Sequence, residues 1–263
     1  MSADDAGLSR AVAREAGELV LAIRESYGEI ARGYRARIRA LCDEADREAH
    51  LLIESRLADA RPGDALLSEE GDGGLGRLDA DRVWIVDPLD GTWEYGQGRE
   101  DFAVHIALWS RADGGLTAGT VDLPAQGITW SVLDDVVPAP GEIPTARPLR
   151  VVVSRSREPQ DLDRVVVGLR AALGAPVEVL HVGSVGAKAS VVLSGEADLY
   201  LHDAGFHDWD LAAPLAVARH HGLVCLSPEG GDFVFNAAST VQPGIVMAAP
   251  PVAGVVRDLL GLA

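Results

Sequence analysis

The stretch Val83-Trp84-Ile85-Val86-Asp87-Pro88-Leu89-Asp90-Gly91-Thr92 constrains this chain more than any other. Its β-branched and aromatic start predicts a strand, with Asp87 at the C-terminal end. Pro88 keeps the residue before it extended and turns the chain, so Asp90 is expected to fold back toward the same point as Asp87. Two carboxylates that converge with no arginine between them repel. A divalent cation removes that penalty, and Mg²⁺ favours an incomplete set of carboxylate and carbonyl oxygens, which makes the Leu89 carbonyl a further candidate ligand. Gly91 permits close backbone approach, and the following Thr-Trp-Glu-Tyr predicts a helical turn whose free N–H groups suit a phosphate. An acidic surface turn is the competing reading of the same residues.

Charge narrows the partners. The 263 residues carry 23 Lys+Arg against 40 Asp+Glu, a net charge of -17. Nucleic acid and anionic membranes are repelled by such a surface, so an anionic substrate needs a local cation, either an arginine cluster or a bound metal. Cys42 and Cys225 are far apart and in no C-x-x-C arrangement, which argues against a disulfide framework or thiolate zinc site and fits a reducing cytoplasm. The acidic start MSADDAGLSR does not read as a signal peptide. The most apolar C-terminal stretch, IVMAAPPVAGVV, is short and interrupted by two prolines, so neither export nor a membrane span is expected.

Helical spacing of Val12, Ala16, Leu19, Val20 and Ile23, and again of Ala45, Ala49, Leu52, Ile53 and Leu57, predicts two opening amphipathic helices. Between them Arg35, Arg37 and Arg39 alternate, which would place three charges on one face of a strand. They face either a second substrate phosphate or solvent. Short β-like runs follow: ALLSE, RVWIVD, FAVHIALW, LTAGTVDL and GITWSVL, expected to form an antiparallel sheet on the helices. Pro138, Pro140, Pro144 and Pro148 then mark a boundary, giving an N-terminal α+β part over 1–147 and a C-terminal α/β part over 148–263. In the second part LRVVVSR, VEVLHV, ADLYLH, GLVCLS and IVMAA alternate with helices near 159–173 and from about Ser184 and Asp208, which favours a more parallel sheet.

Further acids end strands or start helices. Glu69 and Glu70 close LLSEE, and Asp208 and Asp210 flank Trp209 at a helix start. Solvation and helix capping are the ordinary explanations of each alone; together with Asp87 and Asp90 they suggest one shared multi-metal site. LLSEE, WIVDPLDGT and WDLAAP, in this order and at these separations, resemble the inositol monophosphatase superfamily, Mg²⁺-dependent and lithium-sensitive phosphatases, over nearly the whole chain. The resemblance implies a layered α-β-α-β-α sugar-phosphatase fold. It implies that Glu69, Asp87, the Leu89 carbonyl, Asp90 and Asp210 hold two or three Mg²⁺ ions, with Mn²⁺ as a substitute and Li⁺ inhibitory, and with Asp87 bridging two of them. Thr92 and Glu69 would orient the nucleophilic water, the Gly91 and Thr92 N–H groups would cradle phosphate, and Asp46 would lie near a third, weaker metal. In-line attack by a water activated between metals follows that pattern.

Within the superfamily, DPLDGT with an aromatic after Glu94 is more similar to the 3'(2'),5'-bisphosphate nucleotidase branch, and GSVGAK resembles that branch's segment in which a serine and a lysine face the nucleotide. Ser184 and Lys188 are thereby implied in substrate binding with Asp210; a helix N-cap and a surface lysine are the alternative. Trp93 departs from the branch, which usually carries Lys or Arg there, so a phosphate or ribose contact is either missing or replaced by stacking on the ring. The expected substrate is adenosine 3',5'-bisphosphate or its 5'-phosphosulfate. An inositol or sugar phosphate, a pathway-specific nucleotide, or a non-enzymatic role as a regulatory metal- and phosphate-binding protein are the alternatives. Assembly as a homodimer is left open.

Other signals are weaker. GDGGLG at 71–76 matches G-x-G-x-x-G, but Asp72 would face a pyrophosphate and no amphipathic helix follows, so a mobile loop that closes over the metals is the better expectation. The histidines show no zinc spacing, and His207 is a candidate substrate contact. Neither G-x-S-x-G nor a P-loop is present.

Overall fold

The computed structural model describes residues 3–30, 34–71, 74–136, 139–203 and 205–262. Two long helices open the chain, α1 (Ala3–Tyr27) and α2 (Arg35–Ala60). They pack on the first sheet, whose strands lie in the order β1 (Ala65–Ser68), β2 (Arg82–Asp90), β3 (Ala103–Ser110), β4 (Gly115–Leu123) and β5 (Ile128–Ser131). Alternation sorts the faces. Trp84, Val86, Val104, Ile106 and Leu108 are buried against α1 and α2, while Val83, Ile85, Ala103, Ala107 and Val121 face the other way. Each large side chain so buried contributes about 1.5–3 kcal/mol.

Two expectations need correction. The sheet is mixed: β1 runs parallel to β2, and only the remaining pairs are antiparallel. The 69–81 connection, which contains a short 3-10 turn at Leu75–Asp79, is long enough for the crossover that parallel neighbours require. Nor do Arg35, Arg37 and Arg39 alternate along a strand, because α2 already begins at Arg35. Arginine and alanine are strong helix formers, and their preference prevails over the alternating pattern. On the helix Arg35 and Arg39 share a face, and Arg37 donates to the Tyr27 carbonyl at 2.6 Å.

After β5 the chain passes through the irregular 132–148 segment; Pro138 lies outside the described residues. The second part contains β6 (Leu149–Ser154), α4 (Leu162–Leu173), β7 (Val177–Val182), α5 (Val185–Leu193), β8 (Leu199–His202), β9 (Phe206–His207), α6 (Asp208–His220), β10 (Val224–Leu226), β11 (Val241–Gln242), β12 (Ile245–Ala248) and α7 (Pro250–Leu260). Its five-stranded sheet has the order β10-β12-β8-β6-β7, with β8, β6 and β7 parallel and β12 antiparallel to both its neighbours. β9 and β11 form a separate two-stranded ribbon.

Side chains of α5 and α6 form one core with the inner faces of both sheets, and α4 and α7 cover the outer face of the second. The result is the α-β-α-β-α layering expected from the sequence. Helix α7 went unforeseen because Pro250 and Pro251 read as interruptions; at the first helical turn the missing N–H groups have no intrahelical partner to lose. No helix of the described residues is long and apolar enough to cross a membrane.

Candidate active site

The strand register explains how Asp87 and Asp90 meet. Asp87 lies opposite His105 and Asp90 opposite Ala103, with an irregularity between them. Residues three apart on a regular strand point to opposite faces. One extra residue on β2 makes a bulge, and Asp90 rejoins Asp87 on the face toward α5 and α6. Pro88 therefore does not reverse the chain as expected. The strand continues through it, and its missing N–H interrupts no ladder bond because β1 has ended opposite Val86.

Helix α6 delivers the third acid. Carboxylate oxygens of Asp87, Asp90 and Asp210 lie within 4.8 Å of one another. The His207 N–H donates to Asp210 Oδ2 at 2.6 Å, so one oxygen caps α6 while the carboxylate also reaches the cluster. Asp208 is spent elsewhere: it accepts from Asn236 N at 2.9 Å and from Gln242 Nε2 at 2.5 Å. Glu69, just past β1, lies beside Asp87 and lines the same cavity.

Among the described residues no lysine or arginine forms an ion pair with Glu69, Asp87 or Asp210. Burial, followed by neighbouring carboxylates, pushes Asp87 well above the usual carboxylate range. Burial likewise takes Asp210 up to about 7, and Asp46 up to about 8 with help from Glu70, Glu69 and Asp43. Asp90 is the exception. Burial pushes it upward, but His105, Lys188 and the Gly186 N–H outweigh that and hold it below its ordinary value. Hard oxygen donors, crowded and short of positive charge, suit a divalent cation such as Mg²⁺.

The turn after the bulge brings further groups to the same place. Gly91 has φ 89°, and a Cβ there would meet Ser184 Cβ at 2.7 Å, so glycine serves both the left-handed conformation and the close approach of α5. Thr92 opens α3 (Thr92–Gly96), and its hydroxyl donates to the Leu89 carbonyl at 3.1 Å. Asp46 on α2 lies near Thr92 but does not line the cavity. That cavity has a volume of about 270 Å³ and is lined by Glu69, Asp87, Leu89, Asp90, Gly91, Thr92, Trp93, Ser184, Lys188 and Asp210, together with residues of the second part. Trp93 is 58 % exposed and also borders a neighbouring groove with Arg35, Ile38 and Arg39.

Ser184 and Lys188 reach the cavity wall with their polar atoms already engaged. Ser184 Oγ caps α5 by accepting from Ala187 N at 3.0 Å. Lys188 is buried; its ammonium donates to the Gly183 carbonyl and, at 2.7 Å, to that of Ser184, and burial draws it down to about 8. His207 does not line the cavity. It stacks on Trp209 with ring centroids 4.6 Å apart and contacts Thr240 Oγ1 at 2.9 Å. Asp72 and Gly73 of the glycine-rich loop lie outside the described residues, while Arg77 just beyond holds Asn236 Oδ1 at 2.7 Å.

Several residues had escaped the sequence analysis. His105 is fully buried with Nε2 3.2 Å from Asp90 Oδ2; the available signal was a polar residue set between apolar ones in the strand. Arg155 pairs with Glu94 at 3.3 Å and Asp101 at 2.6 Å, tying α3 to the second sheet. Ser154, the last residue of β6, and Ser156 and Arg157 just beyond it line the cavity. Ser156 and Arg157 are exposed.

Residues 5–252 match the inositol monophosphatase family. The chain belongs to that family of metal-dependent phosphoric monoester hydrolases. It is 41 % identical to the 3'-phosphoadenosine 5'-phosphate phosphatase of Mycobacterium leprae, over 97 % of this chain and 94 % of that protein. The protein of the same name from Mycobacterium bovis is 39 % identical, over 93 % of this chain and 90 % of the relative. Among solved structures, CysQ from Bacteroides thetaiotaomicron, described as a bacterial member of the inositol monophosphatase family, superposes with a TM-score of 0.73 at 26 % identity, covering 94 % of this chain and 97 % of that one.

Proposed function

We propose that this protein is a Mg²⁺-dependent phosphatase that removes the 3'-phosphate of adenosine 3',5'-bisphosphate or its 5'-phosphosulfate. The observation that carries the reading is the convergence of Asp87, Asp90 and Asp210 without an arginine partner, beside the backbone of Gly91 and Thr92. The names of the relatives at 39 % and 41 % identity support the choice of substrate.

Glu69, Asp87, the Leu89 carbonyl, Asp90 and Asp210 would hold two or three ions, Mg²⁺ or in its place Mn²⁺, with Li⁺ inhibitory. Bound there, the ions supply an acidified water and neutralise phosphoryl charge. The chain does the rest. Glu69 and the Thr92 hydroxyl orient the attacking water, and Asp46 keeps Thr92 in place. The N–H groups of Gly91 and Thr92 receive phosphate oxygens. Ser184 and Lys188 shape the wall through the α5 N-terminus, and exposed Arg157 supplies a cation for the second phosphate. Trp93 offers its face to the base, a stacking contact in place of a charged one. The two parts, divided near residue 147, contribute to one site, and a homodimer is compatible with it.

Phosphate release from a panel of bisphosphate nucleotides, adenosine monophosphates, inositol phosphates and sugar bisphosphates, with Mg²⁺, with chelator and with Li⁺, tests this. Mg²⁺-dependent, Li⁺-inhibited release, fastest from adenosine 3',5'-bisphosphate or the phosphosulfate, is expected. Release only from inositol phosphate would sink the substrate assignment, and no release from any member would sink the enzyme assignment.

A further inference from the structure

Asp90 differs from its neighbours in how its carboxylate is held. Val185 N donates to Oδ1 at 3.1 Å, Gly186 N donates to Oδ2 at 2.7 Å, and His105 Nε2 faces Oδ2 at 3.2 Å. The two N–H donors come from the N-terminus of α5, and the His105 ring lies against Oδ2 from the middle of β3. Asp87 has one comparable contact, accepting from Leu89 N at 3.1 Å, and Asp210 has the His207 cap.

His105 sits on the small-residue face of β3, between Ala103 and Ala107 and directly across from Asp87. Its ring is fully buried, and Nδ1 lies 3.4 Å from the Trp209 carbonyl, one residue before Asp210. The imidazole thus bridges the segments that carry Asp90 and Asp210. Space for it is made by Gly186, where a Cβ would strike His105 Nε2 and approach Ala103 Cβ to 2.7 Å.

We propose that His105 is a positioning residue for Asp90: with the α5 N–H groups it fixes the carboxylate in the orientation that receives the metal ion. This rests on the metal-dependent reading above and assigns a task to a residue that touches neither ion nor substrate. Each carboxylate oxygen has two acceptor directions, so the fixed donors leave the carboxylate able to bind a cation. Loss of an outer partner of a metal ligand typically costs about 10–100-fold in metal affinity.

The test is calorimetric titration of Mg²⁺, and separately Mn²⁺, into chelator-treated protein without substrate. His105→Leu keeps the volume but removes the ring nitrogen that faces Asp90, and is expected to weaken binding by about 10–100-fold. His105→Gln, whose amide reaches the place of Nε2, should restore affinity to within about threefold, whereas His105→Asn, whose shorter amide reaches only the place of Nδ1, should not. At saturating metal, KM for the substrate should be unchanged in all three. Circular dichroism establishes which variants fold, and the Gln and Asn pair decides the matter if Leu is not tolerated. Wild-type affinity in a folded Leu variant, or equal weakening by Gln and Asn, overturns this proposal alone. Absence of ion binding by the wild type overturns it together with the metal reading on which it stands.

Discussion

Two clusters of acids in this protein are treated in opposite ways. At the end of α2 and the start of β2, Asp5 meets Arg61 at 2.8 Å and Arg82 at 3.0 Å, and Arg82 also holds Asp64 at 2.9 Å. Burial works against the Asp5 charge, yet the two guanidinium groups outweigh it and hold the carboxyl below its usual range. At Asp87, Asp90 and Asp210 no arginine arrives, and only Asp90 is kept low. The first arrangement is complete and serves the fold. The second has no cationic partner of that kind among the described residues, which is the arrangement the proposed exchangeable cation would need.

The largest expected effect separates the clusters by activity. Asp90→Ala should lower phosphate release by more than about 100-fold, beyond the upper range for outer partners of metal ligands, whereas Asp5→Ala should leave kcat and KM close to wild type. Comparable losses from both would erase the distinction. Next comes stabilisation by metal. At a concentration about 100 times its Kd, Mg²⁺ should add about 2.7 kcal/mol to the wild type and markedly less to Asp90→Ala, measured by chemical denaturation. Asp5→Ala should lose about 1–2 kcal/mol of stability, with Arg61 and Arg82 left without that partner, and keep its Mg²⁺ response.

The clusters should also differ in pH dependence. Asp210 and Asp46 are raised in the folded state to about 7 and about 8. Their protonated forms favour folding, so that stability is full below the unfolded carboxylate range, near pH 4, and is lost as pH rises through 7 to 8. Asp5 has the opposite sign: its contribution is present above the unfolded value and is lost as pH falls through the lowered one. In chelator the Tm should therefore decline from pH 5 to 8, and Asp46→Asn should make that decline shallower. A flat Tm in chelator would contradict the raised values.

Much of the site was legible because chemistry and sequence order coincide there. Asp87, Leu89 and Asp90 lie within one short segment, and Glu69 and Asp210 follow recognisable strand-end and helix-start signals. The device that unites Asp87 with Asp90 was not legible, since a bulge shows itself only in the register with β3, and Pro88 suggested a reversal in its place. Ser184 and Lys188 lie at the start of a helix that borders the cavity, but whether their polar atoms face the cavity or their own first turn depends on side-chain packing. His105 and Arg157 are single residues whose meaning comes from what tertiary structure sets opposite them. The run from Arg35 to Arg39 shows local helix preference overriding an apparent period of two.

Mn²⁺ anomalous scattering from crystals soaked in that ion tests the metal assignment most directly, because it locates the ion by its own signal. The expected result is a strong anomalous peak bounded by the carboxylates of Asp87, Asp90 and Asp210, absent in crystals of Asp90→Ala and absent at the Asp5 cluster. An empty carboxylate cluster in fully soaked wild-type crystals, or a peak there unchanged by Asp90→Ala, would contradict it.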